Sequence, residues 1–292
     1  MTTSKQSIII GTRGSPLALA QAETAKSALR KIAPNTPVEL KIFVTQGDKK
    51  LAWSLEKTGS KGLFTSELEE ALVDGTIDVA VHSGKDLPTT LAEGTALAGC
   101  LPRADVRDVL IFRDDLPEEI PAKIATGSPR RRAQARYLFP SADFCELRGN
   151  VKTRLQKVVD GTADATFLAA AGLDRLGISE FPGLKFRRLS LDEMIPAASQ
   201  AAIALQTRSR EVDFFSRACD KKTTLATNIE RAFLSALGEG CHTAFGVHFT
   251  GDKILIFRED IGRKEIDFRV PATEKIPETI AAALRTLFQS SN

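Results

Sequence analysis

Little in this chain could hold a metal ion or a disulfide framework. Its 292 residues include only four cysteines (Cys100, Cys145, Cys219 and Cys241) and three histidines, widely scattered. No CxxC or His/Cys spacing suggests a zinc site, and no metal is expected. A chain of this size needs no cross-links to bury a core, so reduced thiols and a reducing compartment are expected. Long hydrophobic runs are lacking too. No segment reaches the roughly 18 apolar residues of a membrane span. The three-residue run Ile8–Ile10 is too short for the core of a signal peptide. The expectation is a cytoplasmic protein with no membrane partner. Charge of one sign is also missing: 40 Lys and Arg against 37 Asp and Glu leave a net +3. That surplus is too small to imply nucleic acid as a partner. There is no internal repeat and no low-complexity tract, and GTRGSP lacks the GK[ST] ending of a phosphate loop.

What is present is an alternation of strand-like and helix-like segments, the pattern of a mostly parallel sheet covered by helices. Length suggests about two domains, with room for a small third. Ser7 to Thr12 reads as a buried strand, and Pro16 starts a helix that Pro34 ends. Val38 to Thr45 has the period of two of a strand; Leu63 to Val73 is helical; Ile77 to His82 is a strand. A second series has strands at Val109 to Phe112, Ile124 to Thr126, Phe144 to Leu147 and Ala165 to Ala169. Its helices run from the N-cap Ser128 to Leu138 and from Val151 to Val159. Ala201 to Gln206 is a further strand, followed by a helix from Glu211 to Ala218. The polar stretch Asp220 to Thr224 reads as a linker. Beyond it, a helix (Leu225 to Leu237), three strand candidates near Phe245 to Phe249, Lys253 to Arg258 and Glu265 to Val270, and a final helix from Pro277 suggest a small α+β domain.

Three groups of residues could carry chemistry. Arg13, Arg130, Arg131, Arg148 and Arg154 lie at strand ends or in the helices that follow. Cations in a first helical turn oppose the helix dipole, so their placement makes sense if an anion sits there. Ligands of α/β sheets also bind at the carboxyl ends of strands. Arg132 by itself reads as a solvated surface charge. His82-Ser-Gly-Lys-Asp-Leu-Pro88 sets Lys85 beside Asp86 just after a strand, where Asp86 could stabilise a cation or shuttle a proton. A plain polar turn explains it equally well. Cys241, in Gly238-Glu-Gly-Cys-His-Thr243, reads as an exposed thiol, either a nucleophile or tether or an incidental cysteine.

Taken together, the segments TRGSPLALAQ, KGLFTSELEEAL, AVHSGKDLPT, SPRRRAQ, LRGNVKTRL, LAAAGLDRLG, IPAASQAAIAL and ERAFLSALGEGC resemble the hydroxymethylbilane synthase (porphobilinogen deaminase) family, in order and along nearly the whole chain. The resemblance implies an α/β fold: two periplasmic-binding-protein-like lobes around a cleft plus a small α+β C-terminal domain. The lobes correspond to residues 1–100 with 197–218, and to 101–196; the C-terminal domain, 219–292, carries the cofactor cysteine. It implies a monomeric transferase of tetrapyrrole and haem biosynthesis that joins four porphobilinogen units head to tail with release of ammonia. The polypyrrole intermediates grow on a dipyrromethane cofactor attached to a cysteine, here Cys241. Asp86 matches the catalytic aspartate. Lys85, Ser128, Arg130, Arg131, Arg148 and Arg154 match cofactor-binding positions, and Arg13, Ser15 and Lys61 match substrate-binding ones. The alternatives are a two-lobed anion-binding module and a weakly active paralogue of the same fold.

The chain departs from the family pattern at four positions. Gly84 replaces a common methionine, Arg132 a glutamine, and Ser199 and Ala201 the glycines of PAxGQG. If Ser199 or Ala201 needs a positive φ, a side chain there costs of order 1 kcal/mol.

Overall fold

The computed structural model describes residues 6–45, 65–116, 120–237, 244–270 and 276–289, without the side chains of 276–277 and 285–289. The chain divides into two compact units, residues 1–104 with 201–225 and residues 105–200 with 226–292.

In the first unit the run of isoleucines forms β1 (Ile8–Arg13), with Ile8 and Ile10 fully buried. Ser15 then caps α1 (Pro16–Ile32): its Oγ accepts from the Ala18 N–H at 3.3 Å, and Pro16 supplies a first-turn φ at no hydrogen-bond cost. β2 (Val38–Phe43), α2 (Ser66–Val73), β3 (Val79–Ser83), a short 3-10 turn (Gly84–Asp86) and β4 (Thr95–Cys100) follow. The sheet order is β2-β1-β3-β10-β4, where β10 (Ile203–Arg208) runs antiparallel to both neighbours and the β2-β1-β3 side is parallel. One face of the sheet is covered by Ala22, Ala25 and Leu29 of α1, the other by Leu68 and Leu72 of α2.

The second unit repeats this plan. β5 (Asp108–Arg113), β6 (Lys123–Ala125), α3 (Pro129–Leu138), β7 (Asp143–Cys145), α4 (Val151–Val159), β8 (Ala165–Ala169), α5 (Ala170–Arg175) and β9 (Leu184–Arg188) form a sheet ordered β7-β6-β8-β5-β9. Three strands are again parallel, and one antiparallel strand, β5, lies between β8 and the edge.

In the first unit, α6 (Val212–Ser216) follows β10, and α7 (Lys221–Ala236) begins directly after it. The expected linker at Asp220 to Thr224 is therefore the first turn of a helix. The carboxylate of Asp220 accepts from both the backbone N–H and the hydroxyl of Thr223 at 2.7 Å, which is an N-cap. The polar composition that suggested a loop is the composition of a helix start.

The second unit closes with a three-stranded antiparallel sheet, β11 (Phe245–Phe249), β12 (Lys253–Arg258) and β13 (Gly262–Asp267), and with α8 (Ile276–Gln289). Phe233 and Phe268 are buried between sheet and helices with ring centroids 5.7 Å apart. Each such ring stabilises the fold by roughly 1.5–3 kcal/mol.

β4, β9 and α5 carry no expectation from the sequence pattern. β4 and β9 are edge strands, and three of the five residues of β9 (Leu-Lys-Phe-Arg-Arg) are charged. Ser199 and Ala201 both adopt positive φ, 59° and 69°. The condition set by the sequence comparison is met, and both residues bear the left-handed penalty.

Candidate functional site

In the first unit the parallel strands deliver candidate residues to their carboxyl ends. Arg13 is the last residue of β1, half-buried, and Ser15 caps the next helix. β3 pairs directly with β1, and its end carries the Gly84-Lys85-Asp86 turn. Two contacts fix that turn. The Gly84 N–H donates to the Ala202 carbonyl at 2.9 Å, and the buried Gln21 of α1 exchanges hydrogen bonds with the Ser83 hydroxyl. Gly84 is buried, Lys85 is half-buried and Asp86 is exposed. A carboxylate is thus presented to solvent from a turn anchored at both sides. Lys61 lies outside the described residues.

In the second unit Ser128 accepts from the Arg131 N–H at 3.4 Å and sets the start of α3. Arg130 and Arg131 point inward. Arg131 Nε and Nη2 bind one oxygen of Asp108, at 3.0 and 2.7 Å, while Nη1 reaches the Phe167 carbonyl at 2.8 Å. Arg130 Nη1 lies 2.9 Å from the other Asp108 oxygen and 2.7 Å from the Ile195 carbonyl. Asp108 is fully buried, and the two arginines are 4% and 7% exposed. Burial pushes the Arg130 guanidinium below its usual range, against the pull of Asp108.

The protein therefore supplies part of the anion that the dipole argument required. One carboxylate between two guanidiniums still leaves a surplus positive charge at the helix start, a setting that favours a further anion.

Arg148 lies in the next loop, and Arg154 in α4, the helix that follows it. Gly149 has φ +123°, and a Cβ there would meet Thr153 at 2.8 Å, so only glycine fits the turn. Asn150 then caps α4 by accepting from the Thr153 N–H at 2.9 Å. Arg154 Nε donates to the Gly149 carbonyl at 2.7 Å, and Arg148 Nε to Glu146 at 3.3 Å. Both arginines stay half-buried. Arg175, at the end of α5, is a further cation that sequence reading passed over, although it stands in the quoted LAAAGLDRLG. Burial lowers its pKa, opposed by Asp174. Asp108 was also missed, because nothing in its local sequence marks it; its role appears only when β5 is laid beside β8.

Cys241 lies outside the described residues. Of the other thiols, Cys100 is buried, and Cys145 and Cys219 are intermediate. Burial pushes Cys219 up to about 12, so its thiolate is scarce at neutral pH. Among the described residues, no cluster of His, Cys, Asp and Glu could hold a metal ion, and no helix is long and apolar enough to cross a membrane.

The model of the porphobilinogen deaminase dipyromethane cofactor binding domain matches residues 8–215. The porphobilinogen deaminase of Nitrobacter winogradskyi is 45% identical over 258 residues, covering 84% of this chain and 80% of the relative. The chain belongs to the porphobilinogen deaminase family. The chloroplastic member from Oryza sativa subsp. japonica is 44% identical, over 84% of this chain and 71% of the relative. The member from Roseiflexus sp. is 40% identical, over 89% and 88%. The two α/β lobes and the small C-terminal sheet that the resemblance implied are those observed. The donor set also fits the family's cofactor by its chemistry. A capped helix start with surplus positive charge behind it, and the half-buried Arg148 and Arg154, suit a ligand that carries several carboxylates.

Proposed function

We propose that the protein is a hydroxymethylbilane synthase, a transferase that joins four porphobilinogen units head to tail and releases ammonia. The observation that carries the reading is Asp86. In a chain of this family, it is an exposed carboxylate on an anchored turn at the carboxyl end of β3, beside the strand that ends in Arg13. The carboxylate stabilises positive charge on the substrate's pyrrole nitrogen while ammonia leaves and while the next ring attacks. Arg13, Ser15 and Lys61 take up the acetate and propionate groups of incoming substrate. Lys85, Ser128, Arg130, Arg131, Arg148 and Arg154 hold dipyrromethane, with Cys241 as its covalent anchor. When bound, that group supplies the pyrrole end to which the first substrate is joined. Residues 1–100 with 197–218 and residues 101–196 are the two lobes, and 219–292 presents the cysteine. We place the protein in the cytoplasm as a monomer.

The test is the intact mass of the purified chain together with porphobilinogen consumption. The wild type should carry a dipyrromethane adduct that Cys241→Ser removes, and Asp86→Ala should abolish turnover. A bare wild-type chain from a host that makes porphobilinogen, or equal rates in wild type and Asp86→Ala, overturns the reading. A second reading, a weakly active relative of the same fold, is favoured by the left-handed Ser199 and Ala201. A low turnover number in fully loaded wild type would select it.

A further inference from the structure

The irregular segment Ile195–Ser199 is held by two groups of contacts within the second unit. The first group comes from α3, the helix that carries Arg130 and Arg131, which also packs directly on the C-terminal sheet through Ala133 and Tyr137. Gln134, 4% exposed, clasps the Ile195 backbone: its Nε2 donates to the carbonyl at 3.0 Å and its Oε1 accepts from the N–H at 2.7 Å. The same carbonyl accepts from Arg130 at 2.7 Å, which uses both of its lone pairs.

The second group comes from the C-terminal sheet and α7. The Val247 N–H donates to the Pro196 carbonyl at 3.0 Å. A Cβ on Gly246 would stand 2.9 Å from the Ile195 oxygen and 3.2 Å from that of Pro196, so β11 meets this segment backbone to backbone. Glu230 of α7, fully buried, accepts from the Ser199 N–H at 2.7 Å through one oxygen. Its other oxygen meets Phe249 N and His248 Nδ1 of β11, both at 3.0 Å. In the chain, residues 238–243, Cys241 among them, connect α7 to β11.

We propose that Gln134 and Glu230 are positioning residues for the transferase reaction. They hold the two elements that flank the Cys241 segment in register with the arginine-bearing helix α3, through the shared segment Ile195–Ser199. The inference rests on the proposed function. The physical ground is that every bond in the chain from Arg130 to β11 is buried, where no water can replace a lost partner and the geometry stays stiff. If these bonds only glued two layers together, losing them would lower stability and leave chemistry alone. If they position, then a tether misplaced by a fraction of an ångström should slow the bond-forming step while the arginines still bind substrate carboxylates.

Two variants separate these outcomes. Glu230→Gln sets an amide N–H against the Ser199 N–H while its carbonyl can still serve β11. Gln134→Met removes both Ile195 bonds at similar volume. For each, intact mass gives the fraction carrying the dipyrromethane adduct, and steady-state kinetics on the loaded fraction gives kcat and KM. Both variants should show incomplete loading and a kcat about tenfold or more below wild type, with KM little changed. Full loading with wild-type kcat in both, even at a lowered melting temperature, overturns the inference and leaves a structural role. If Glu230→Gln does not fold, Gln134→Met decides by the same criteria. A wild type that is neither loaded nor active removes the proposed function and this inference with it. A loaded, active wild type with unaffected variants removes the inference alone.

Discussion

Replacing Ser199 by glycine should make the protein more stable, an unusual outcome for a fully buried position. Ser199 is 1% exposed, has φ 59°, and its hydroxyl oxygen is buried with no hydrogen-bond partner among the described residues. Relief of the left-handed backbone stabilises by about 1–2 kcal/mol. Removing the orphaned hydroxyl adds roughly 1 kcal/mol. Against these, the extra freedom of glycine in the unfolded chain costs about 0.4–1 kcal/mol. The Ser199 N–H keeps its bond to Glu230, since only the side chain is lost. Losing the buried Cβ costs about 0.8 kcal/mol more, so the net expectation is a gain of roughly 1 kcal/mol.

Ala201 is the internal control. Its φ is 69° and it is 7% exposed, but glycine there forfeits a buried methyl worth about 0.8 kcal/mol and removes no orphaned polar atom. The expected change for Ala201→Gly is close to zero. Urea denaturation at neutral pH, read as shifts in midpoint at constant slope, measures both. The reasoning fails if Ser199→Gly is no more stable than wild type, or if Ala201→Gly gains as much.

Two further outcomes follow from the site. Arg131→Leu leaves fully buried Asp108 short of a partner and should cost about 3–5 kcal/mol. Among the described residues, the side chain lost in Arg148→Leu makes a 3.3 Å contact to an exposed glutamate, so stability should stay within about 0.5 kcal/mol while the fraction of chain carrying dipyrromethane falls. Equal melting temperatures in the two variants would contradict this. Acid stability should carry a mark of Asp105, whose carboxyl is held at about 2, below the ordinary 3.8, chiefly by hydrogen bonding from Arg107 and further by Arg188. With the folded value below the unfolded one, the stabilisation is complete above about pH 4 and disappears as pH falls through about 2. Asp105 is half-buried but its arginine partners are well exposed, and that screening holds the contribution to about 1 kcal/mol. Asp105→Asn should flatten that part of the urea-midpoint curve, and parallel curves for variant and wild type would refute the assignment.

Arginine placement and local caps show where sequence reading succeeded. Ser128-Pro129 announces α3 because capping is a contact between residues three apart, and Asn150 caps α4 by the same rule without having been read as a cap. Asp220 with Thr223 obeyed the same rule and was passed over for its polarity. Edge strands such as β9 left no mark, since a strand half open to water need not alternate.

The sequence alone determined the alternation of strands and helices, the Ser128 cap, and the placement of Arg13, Asp86 and Arg148 after strands and of Arg154 in the helix that follows. Each depends on residues within a few positions of one another and on the register of apolar side chains. Only the tertiary structure decided that Arg130 and Arg131 share Asp108, that Ser199 and Ala201 stand in the left-handed region, and that Gln134 and Glu230 hold one segment between them. Those facts join residues from 23 to 61 positions apart for Arg131–Asp108, Ser199–Glu230 and Gln134–Ile195. Burial makes such pairings strong, and only the folded chain brings the partners together.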